Sequence, residues 1–334
     1  MPETLSATAT ATEPRLAILN GRWTRFALRR AGRLLVSLWV LVSATFLMIH
    51  LVPGDPVRAA LGPTATPAVV AARRAALGLD DPLPVQYLHF LKGVLSGDLG
   101  SSIVSQLPVG QIIGQLLPAT AVLAGLAFLL AAVIAVPVGV AVAMRTRRGR
   151  GRRTELVFAG TSVVLGTIPD FLLGVGLVFV FSVTLGWVPV AGNDTWSSYI
   201  LPVVALALGP AAVLARIVRV ELLAVLETDY IRTARAKRLP TSRITLVHAL
   251  PNAVTATLTL GGLLLSSLIA GTVLVENVFA WPGLGRTIVA SIVSKDYAVV
   301  QGIVLVYGVG VLLVNTFADV AIAVLDPRST IGES

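Results

Sequence analysis

Cysteine is absent from the chain and charge is scarce. A chain without cysteine forms no disulfide, holds no iron–sulfur cluster and offers no thiol nucleophile. Charged residues make up 13% of the 334 positions and hydrophobic residues 55%, whereas a soluble domain carries roughly a quarter charged residues. The sequence therefore reads as an integral membrane protein. Aromatic residues are few, at 6%, which gives no sign of base-stacking platforms, so no nucleic-acid partner is expected. The three histidines, His50, His89 and His248, lie far apart, which argues against a histidine-built metal site. No G-x-x-x-x-G-K-[ST] phosphate loop occurs, and neither G-x-S-x-G nor H-E-x-x-H is present. An arginine ladder of the voltage-sensor kind and a relay of acids through several spans are also missing. Transport is the natural reading, with its energy source on another chain and no catalytic residue here.

Six apolar runs are long enough to cross a bilayer, which takes about 20 residues. They cover residues 34–52, 119–144, 156–190, 194–216, 249–275 and 297–318. Only Asp170 interrupts the third, and Pro137, Pro169 and Pro210 mark bends. The 26 basic residues outnumber the 17 acidic ones, and their placement sets the direction of the spans. Six arginines precede the first span, six lie between the second and third, and seven basic residues lie between the fourth and fifth. The opposite side holds only Arg58, Arg73, Arg74, Lys92, Arg286 and Lys295. By the positive-inside rule both termini are cytoplasmic.

The expected organisation follows from these runs. Residues 1–20 form a polar, disordered cytoplasmic tail without the features of a signal peptide. Residues 21–52 are the N-terminal segment and first span, 53–117 a small helical extracytoplasmic subdomain, 118–326 the core of five further spans, and 327–334 a tail. Within the subdomain, residues 66–78 read as a helix with Thr66 as N-cap, Pro67 first and Gly78 at the end. "DDPLPVQYLHFLKGVLSG" suggests a second helix.

Several residues stand out from this background. "DYIRTARAKRLP" crowds Arg232, Arg235, Lys237 and Arg238 together, with no acid after Asp229 until Glu276. It reads either as a lipid-headgroup patch or as a surface that another protein grips. Its basic residues make no single face on a helical wheel; Ala234 and Ala236 permit close backbone approach, and Tyr230, Ile231 and Leu239 suit an apolar groove. Asp170 is an expensive carboxylate at span depth. It either lines a pathway, meeting a peptide's amino group, or marks with Pro169 a break in a long helix. Asn315 and Asp319 read as interhelical hydrogen-bond partners, with a pathway role as the alternative. "GDP" (Gly54, Asp55, Pro56) and "FAWPGLG", with Trp281 and Pro282, read as turns at span ends, Trp281 suiting the interfacial belt. Trp39, in mid-span, is assigned to packing, and His50 to an interface.

These motifs together resemble a known family. "HLVPGDPV", "LGLDDPLPVQYL", "GDLGSS", "IPDFLLG", "DYIRTARAKRLP…HALPNA", "GTVLVENVFAWPGLG" and "DYAVVQG…LVN…AD…LDPR" occur in order between about Arg25 and Arg328. The series is similar to the first of the two permease subunits of bacterial ATP-binding-cassette importers for dipeptides, oligopeptides and nickel. Arg232, Thr233 and Ala234 take the E-A-A places of that family's cytoplasmic loop, here about 221–250. His248, Ala249, Leu250 and Pro251 take its I-x-L-P places. Arg238 stands where the family has Gly, which puts a tight left-handed turn in question.

The resemblance implies an all-α, six-span permease fold in the bacterial inner membrane. It implies a coupling helix in a groove of an ATPase subunit, and a pathway shared with a second, non-identical permease. Two ATPases would bind inside, using ATP and Mg2+, with no cofactor or metal in this chain. A substrate-binding protein would dock outside, near the "GDP" and "FAWPGLG" turns. The implied cargo is a dipeptide or oligopeptide; nickel, glutathione or another small solute is the alternative. A stand-alone secondary transporter and a membrane-embedded hydrolase are the rivals. Neither a second acidic span, nor an internal repeat, nor a nucleophile–base pair supports them.

Overall fold

The computed structural model describes residues 15–51, 55–62, 64–76 and 78–325. A segment in lipid must satisfy its own backbone, so the apolar runs close into helices. In chain order these are α1 (Arg15–Leu51), α2 (Pro56–Leu61), α3 (Pro67–Ala76), α4 (Leu83–Ser96), α5 (Val109–Thr146), α6 (Arg152–Thr167), α7 (Asp170–Leu177), α8 (Ile200–Val225), α9 (Asp229–Ala236), α10 (Thr241–Arg243), α11 (Leu250–Val278), α12 (Leu284–Val293) and α13 (Tyr297–Leu325). Among the described residues, five helices are long and apolar enough to span a bilayer, and a bent pair supplies a sixth.

Three boundaries differ from the sequence expectation. Helix α1 starts at Arg15, inside the stretch expected to be disordered, because no proline interrupts the chain between Pro14 and Pro53. Helix α5 starts at Val109 and runs through Pro118 and Pro137. Proline is tolerated inside a membrane helix because neighbouring groups satisfy the freed carbonyl. The third apolar run is two helices, α6 and α7, meeting at 98°. Pro169 forces its neighbour Ile168 into extended backbone at φ −68°, ψ 123°, and α7 restarts at Asp170. Pro169–Asp170 does mark a helix break, one of its two readings.

Helix α8 is the centre. It packs against α5, α6, α7 and α11. Ala205, Ala207, Ala211, Ala212 and Ala215 are buried along it, and small residues let helix backbones approach closely in lipid. The tightest approach is at Gly139 of α5: a Cβ there would lie 2.7 Å from the carbonyl oxygen of Ala215 and 2.7 Å from Cβ of Val218. Helix α1 is peripheral, resting on α13 and α4. Its Trp39 is 61% exposed within this chain, on the outer side of the bundle.

Two buried carboxylates fasten the end of the bundle that carries α4. Glu276, wholly buried, accepts from Thr120 Oγ1 of α5 at 2.7 Å and from the backbone N–H groups of Gly285 (2.7 Å) and Arg286 (3.1 Å). It thereby joins α5 and α11 to the first turn of α12, where a carboxylate complements the unpaired N–H groups. Asp296 accepts from Ser102 Oγ and from the N–H of Ile103 at 3.3 Å, fixing the segment before α5 to the start of α13.

Removing one partner of a buried charged hydrogen bond leaves the others unsatisfied. Glu276→Ala is expected to cost about 3 kcal/mol, and Glu276→Gln less, since it retains one acceptor. Thermal unfolding of the purified protein measures both; equal midpoints for Glu276→Ala and the native chain would refute the fastening role.

Candidate functional site

Helix α9 hangs between the end of α8 and the start of α10. Ile231 is wholly buried, while Asp229, Tyr230, Arg232, Thr233, Ala236, Lys237 and Arg238 are exposed. Ile231 sits in a cluster with Ala143 of α5, Leu222, Leu226, Ile244, Ala249 and Ala253, and half-buried Ala234 and Leu239 pack on it. Burying an isoleucine side chain is worth about 1.5–3 kcal/mol. The helix is therefore seated on its own chain. Ile231 and Leu239 face this inner cluster, not a partner's groove, and Tyr230, 47% exposed, is left as the outward aromatic.

The basic residues divide for the same reason. Arg235 turns inward, and its Nη2 donates to the carbonyl of Leu226 at 2.7 Å, stapling α9 to the end of α8. Arg232, Lys237 and Arg238 remain on the outside. Arg238 adopts a left-handed φ of 55°. Its N–H donates to Arg235 O (2.9 Å), and that of Leu239 to Ala234 O (3.4 Å). This is the paired Schellman closure of a helix end. The tight turn questioned in the sequence is present, with arginine where glycine would fit without strain.

"HALP" is not in a loop. From Thr241, α10 continues through a π-helical stretch, Ile244–Ala249, into α11. Pro251 has no N–H for the carbonyl four residues back, and the wider turn upstream accommodates that gap. Ala249 is buried, His248 and Leu250 are half-buried, and Pro251 is exposed. Nearby, Arg219 of α8 donates to Glu155 of α6 (2.6 Å) and to Thr146 of α5 (3.1 Å). The connection between α8 and α10 is thus about residues 226–240, shorter than the 221–250 expected.

Asp170 lies at the α6–α7 break against two glycines. A Cβ on Gly271 of α11 would be 3.1 Å from its Oδ2, and one on Gly209 of α8 would be 3.4 Å from its Oδ1. The carboxylate is half-buried and has no hydrogen-bond or ion-pair partner among the described residues. Pro169 beside it is exposed. Asn315 is engaged elsewhere, accepting from Ser266 of α11 at 2.9 Å, and Asp319 pairs with Arg30 of α1.

The expected docking residues separate. Gly54 lies outside the described residues. Pro56 opens α2, and Asp55 caps that helix, accepting from the N–H of Val57 at 2.9 Å and from Arg74 at 3.0 Å. Burial acts to raise the Asp55 carboxyl, but the N–H groups of Arg58 and Val57 and the Arg74 guanidinium hold it below the usual range. Trp281 is wholly buried rather than placed in an interfacial belt. Its ring meets Tyr199 edge-on at 4.6 Å, and its Nε1–H donates to Ala119 O at 3.2 Å. Pro282 beside it is half-buried. The Glu276 clasp under this turn was missed in the sequence, where its only signal was an isolated acid in an apolar run.

A non-glycine residue in the left-handed region carries about 1–2 kcal/mol of strain, and a β-branched one more. Arg238→Gly is expected to hold or slightly raise the thermal midpoint and Arg238→Val to lower it. The reverse order would refute the assigned conformation.

Comparison with known proteins accords with this arrangement. The family described as "Binding-protein-dependent transport system inner membrane component" matches residues 135–331, and its N-terminal counterpart matches residues 23–124. The glutathione transport system permease protein GsiC of Pectobacterium atrosepticum is 40% identical over 302 residues, 90% of this chain and 97% of the relative. The protein of that name from Escherichia coli O6:H1 is 38% identical over 303 residues, again 90% and 97%. A chain of the inward-facing MetNI methionine ABC transporter shares the fold, with TM-score 0.54 at 20% identity, covering 65% of this chain and 97% of that one. The chain belongs to the binding-protein-dependent transport system inner-membrane component family and is a permease subunit of an ATP-binding-cassette importer.

Proposed function

We propose that this permease admits glutathione or a closely similar short peptide into the cytoplasm. The observation that carries this is the similarity to glutathione permeases along nearly the whole chain, 40% over 302 residues. A dipeptide or oligopeptide cargo is the second reading, favoured by the motif series of the sequence. Two ATPase subunits supply the energy, binding ATP and Mg2+ on the cytoplasmic side. A second, non-identical permease completes the pathway, and an extracytoplasmic binding protein delivers the cargo to the end that carries α4. Both termini lie in the cytoplasm, in keeping with the arginine distribution.

Helix α9 is the contact for an ATPase. Its outward face, Tyr230, Arg232, Thr233, Ala236, Lys237 and Arg238, is exposed, with Arg232 paired to Asp229 of the same helix at 3.0 Å, while its inner face is held by Ile231 and Arg235. Closure of the ATPases on ATP moves α9, and with it α11, switching the pathway from inward to outward access. Asp170 has an uncommitted carboxylate at a helix break and is suited to meet the ammonium group that glutathione and peptides share. An ionisable group within a span is a functional candidate on energetic grounds.

Uptake into proteoliposomes holding the whole importer, with radiolabelled glutathione and dipeptides in competition, tests the cargo. ATP-dependent glutathione uptake that dipeptides displace poorly is expected; the opposite preference would assign the second reading. Ala236→Glu is the sharper test of α9 than Ala234→Glu, because Ala234 supports the inner cluster and Ala236 does not. It should reduce uptake at least about tenfold with an unchanged thermal midpoint. Normal uptake with normal ATPase retention would remove α9 from the coupling route. Asp170→Asn should raise KM for uptake about tenfold, the loss of one charge-assisted hydrogen bond; an unchanged KM would leave Asp170 with only its place at the helix break.

A further inference from the structure

Helix α4 is apolar on both of its faces. The inner face meets α1. Tyr87 and Ser43 share a hydrogen bond of 2.8 Å, and Nε2 of His50 lies 3.1 Å from Oε1 of Gln86. The ring of Phe46 lies 5.3 Å from that of Tyr87 and 5.7 Å from that of Phe90. The outer face carries Pro84, Leu88, Leu91 and Leu95, at the spacing of one helical stripe. Leu88 is 62% exposed and Leu95 80%. Lys92, also exposed, is the only charged side chain of the helix. A helix washed by water on its outer face carries charge there. Helix α3, with Arg73 and Arg74 in its last turn, does so.

The contacts with α1 fix how deep this apolar face lies. The apolar stretch of α1 ends at Leu51, and its opposite end is marked by Arg29, Arg30 and Arg33. From Leu34 to Leu51 the helix is about 27 Å long at about 1.5 Å per residue, against a hydrocarbon core about 30 Å thick, so α1 ends at the edge of the hydrocarbon. Ser43 lies about 12 Å before that end, with Tyr87 beside it. The other end of α4 is at the same level. Leu99, just beyond it, lies beside Gly302 of α13, where a Cβ would be 3.6 Å from its Cδ1. The adjacent Gln301 donates to Thr45 O of α1 at 3.1 Å. Helix α4 thus runs across the bundle at the level of residues 43–50 rather than rising clear of α1. The chain leading into it is provided for in such a place: Gln86 Nε2 donates to Leu79 O at 3.1 Å and to Asp81 O at 2.7 Å, two carbonyls that lipid would leave unpaired.

We propose that α4 is an interfacial membrane helix, set into the leaflet at its end of the bundle with Leu88, Leu91 and Leu95 against acyl chains and Lys92 reaching to lipid phosphates. Leu47 and Leu51, in the last turns of α1, are exposed as well, so the apolar surface of the span reaches the level of α4. Lys92 argues for lipid over a protein lid. It has no ion-pair partner among the described residues. A second subunit closing on this face would bury its ammonium, whereas in lipid the aliphatic stem snorkels and the charge reaches the headgroups. The segment 53–117 then divides: α2 and α3, with Arg58, Arg73 and Arg74, stand in water, and α4 lies in the bilayer. This departs from the expectation of an extracytoplasmic subdomain throughout.

The absence of cysteine makes single-cysteine variants clean probes. Leu88→Cys, Leu95→Cys and, on exposed Ala72 of α3, Ala72→Cys are placed in the assembled importer in lipid nanodiscs. The native chain is the blank for thiols on the other subunits. A charged maleimide should react at least about tenfold more slowly at the two α4 sites than at the α3 site, because a thiolate forms poorly in hydrocarbon. A nitroxide attached at either α4 site before reconstitution should collide more often with dissolved oxygen, which concentrates in lipid, than with a water-soluble nickel chelate. At the α3 site the order should be reversed. Rapid maleimide reaction at either α4 site would place the helix in water and overturn the proposal. Slow reaction with a nitroxide that does not favour oxygen would overturn it too; shielding from both reagents would assign the face to a protein partner.

Discussion

Close approach at α8 is the constraint on which the rest of the structure depends. In lipid, apolar burial does little to hold one helix against another, so packing distance decides which helices stay together. The alanine face of α8, met by Gly139 of α5, brings backbones near enough for dispersion to accumulate. That same closeness creates the setting of Asp170. Gly209 and Gly271 leave room for its carboxylate between two helices; a Cβ at Gly271 would crowd Oδ2 at 3.1 Å, and one at Gly209 would reach contact with Oδ1 at 3.4 Å. The packing solution and the candidate pathway group are therefore products of one choice of small residues.

Ionic and carboxylate fastenings lie at the two ends of this packed middle and act differently there. At the end carrying α4, Glu276 and Asp296 bind backbone N–H groups and hydroxyls, joining elements distant in sequence. At the end carrying α9, the fastenings include an arginine on a carbonyl, Arg235 to Leu226, an arginine between Thr146 and Glu155, and the Arg30–Asp319 pair. A buried carboxylate with three fitted donors holds one geometry. Long guanidinium side chains can follow a moving partner. That contrast suits the ATPase contact proposed at one end and the cargo delivery proposed at the other.

Much of the fold was legible in the sequence, because its signals were local. Thr66, Pro67 and Gly78 marked α3, which runs Pro67–Ala76 with Thr66 Oγ1 accepting from the Val69 N–H. Pro169 marked the break that became a 98° bend. What stayed hidden depended on partners far along the chain. Trp281 has the composition of an interface residue, and only Tyr199 and Ala119 make it an interior one. Ile231 resembled a side chain for a partner's groove until Ala143 and Ile244 closed around it. Arg238 illustrates a third case: the sequence raised the question of the left-handed turn, and only backbone angles answered it.

The uninterrupted winding from Thr241 to Val278 changes what α9 is attached to. At about 1.5 Å per residue, those turns reach more than 50 Å. No slack joins the short surface helix to the far side of the bundle; the two are separated by Lys237, Arg238, Leu239 and Pro240, and the chain thereafter is a rod. A slack connection would absorb a small displacement, whereas a rod pivoting in a close-packed bundle delivers it at the other end with its direction reversed. The π-wound turn near one end, where the backbone is widest, is the natural fulcrum.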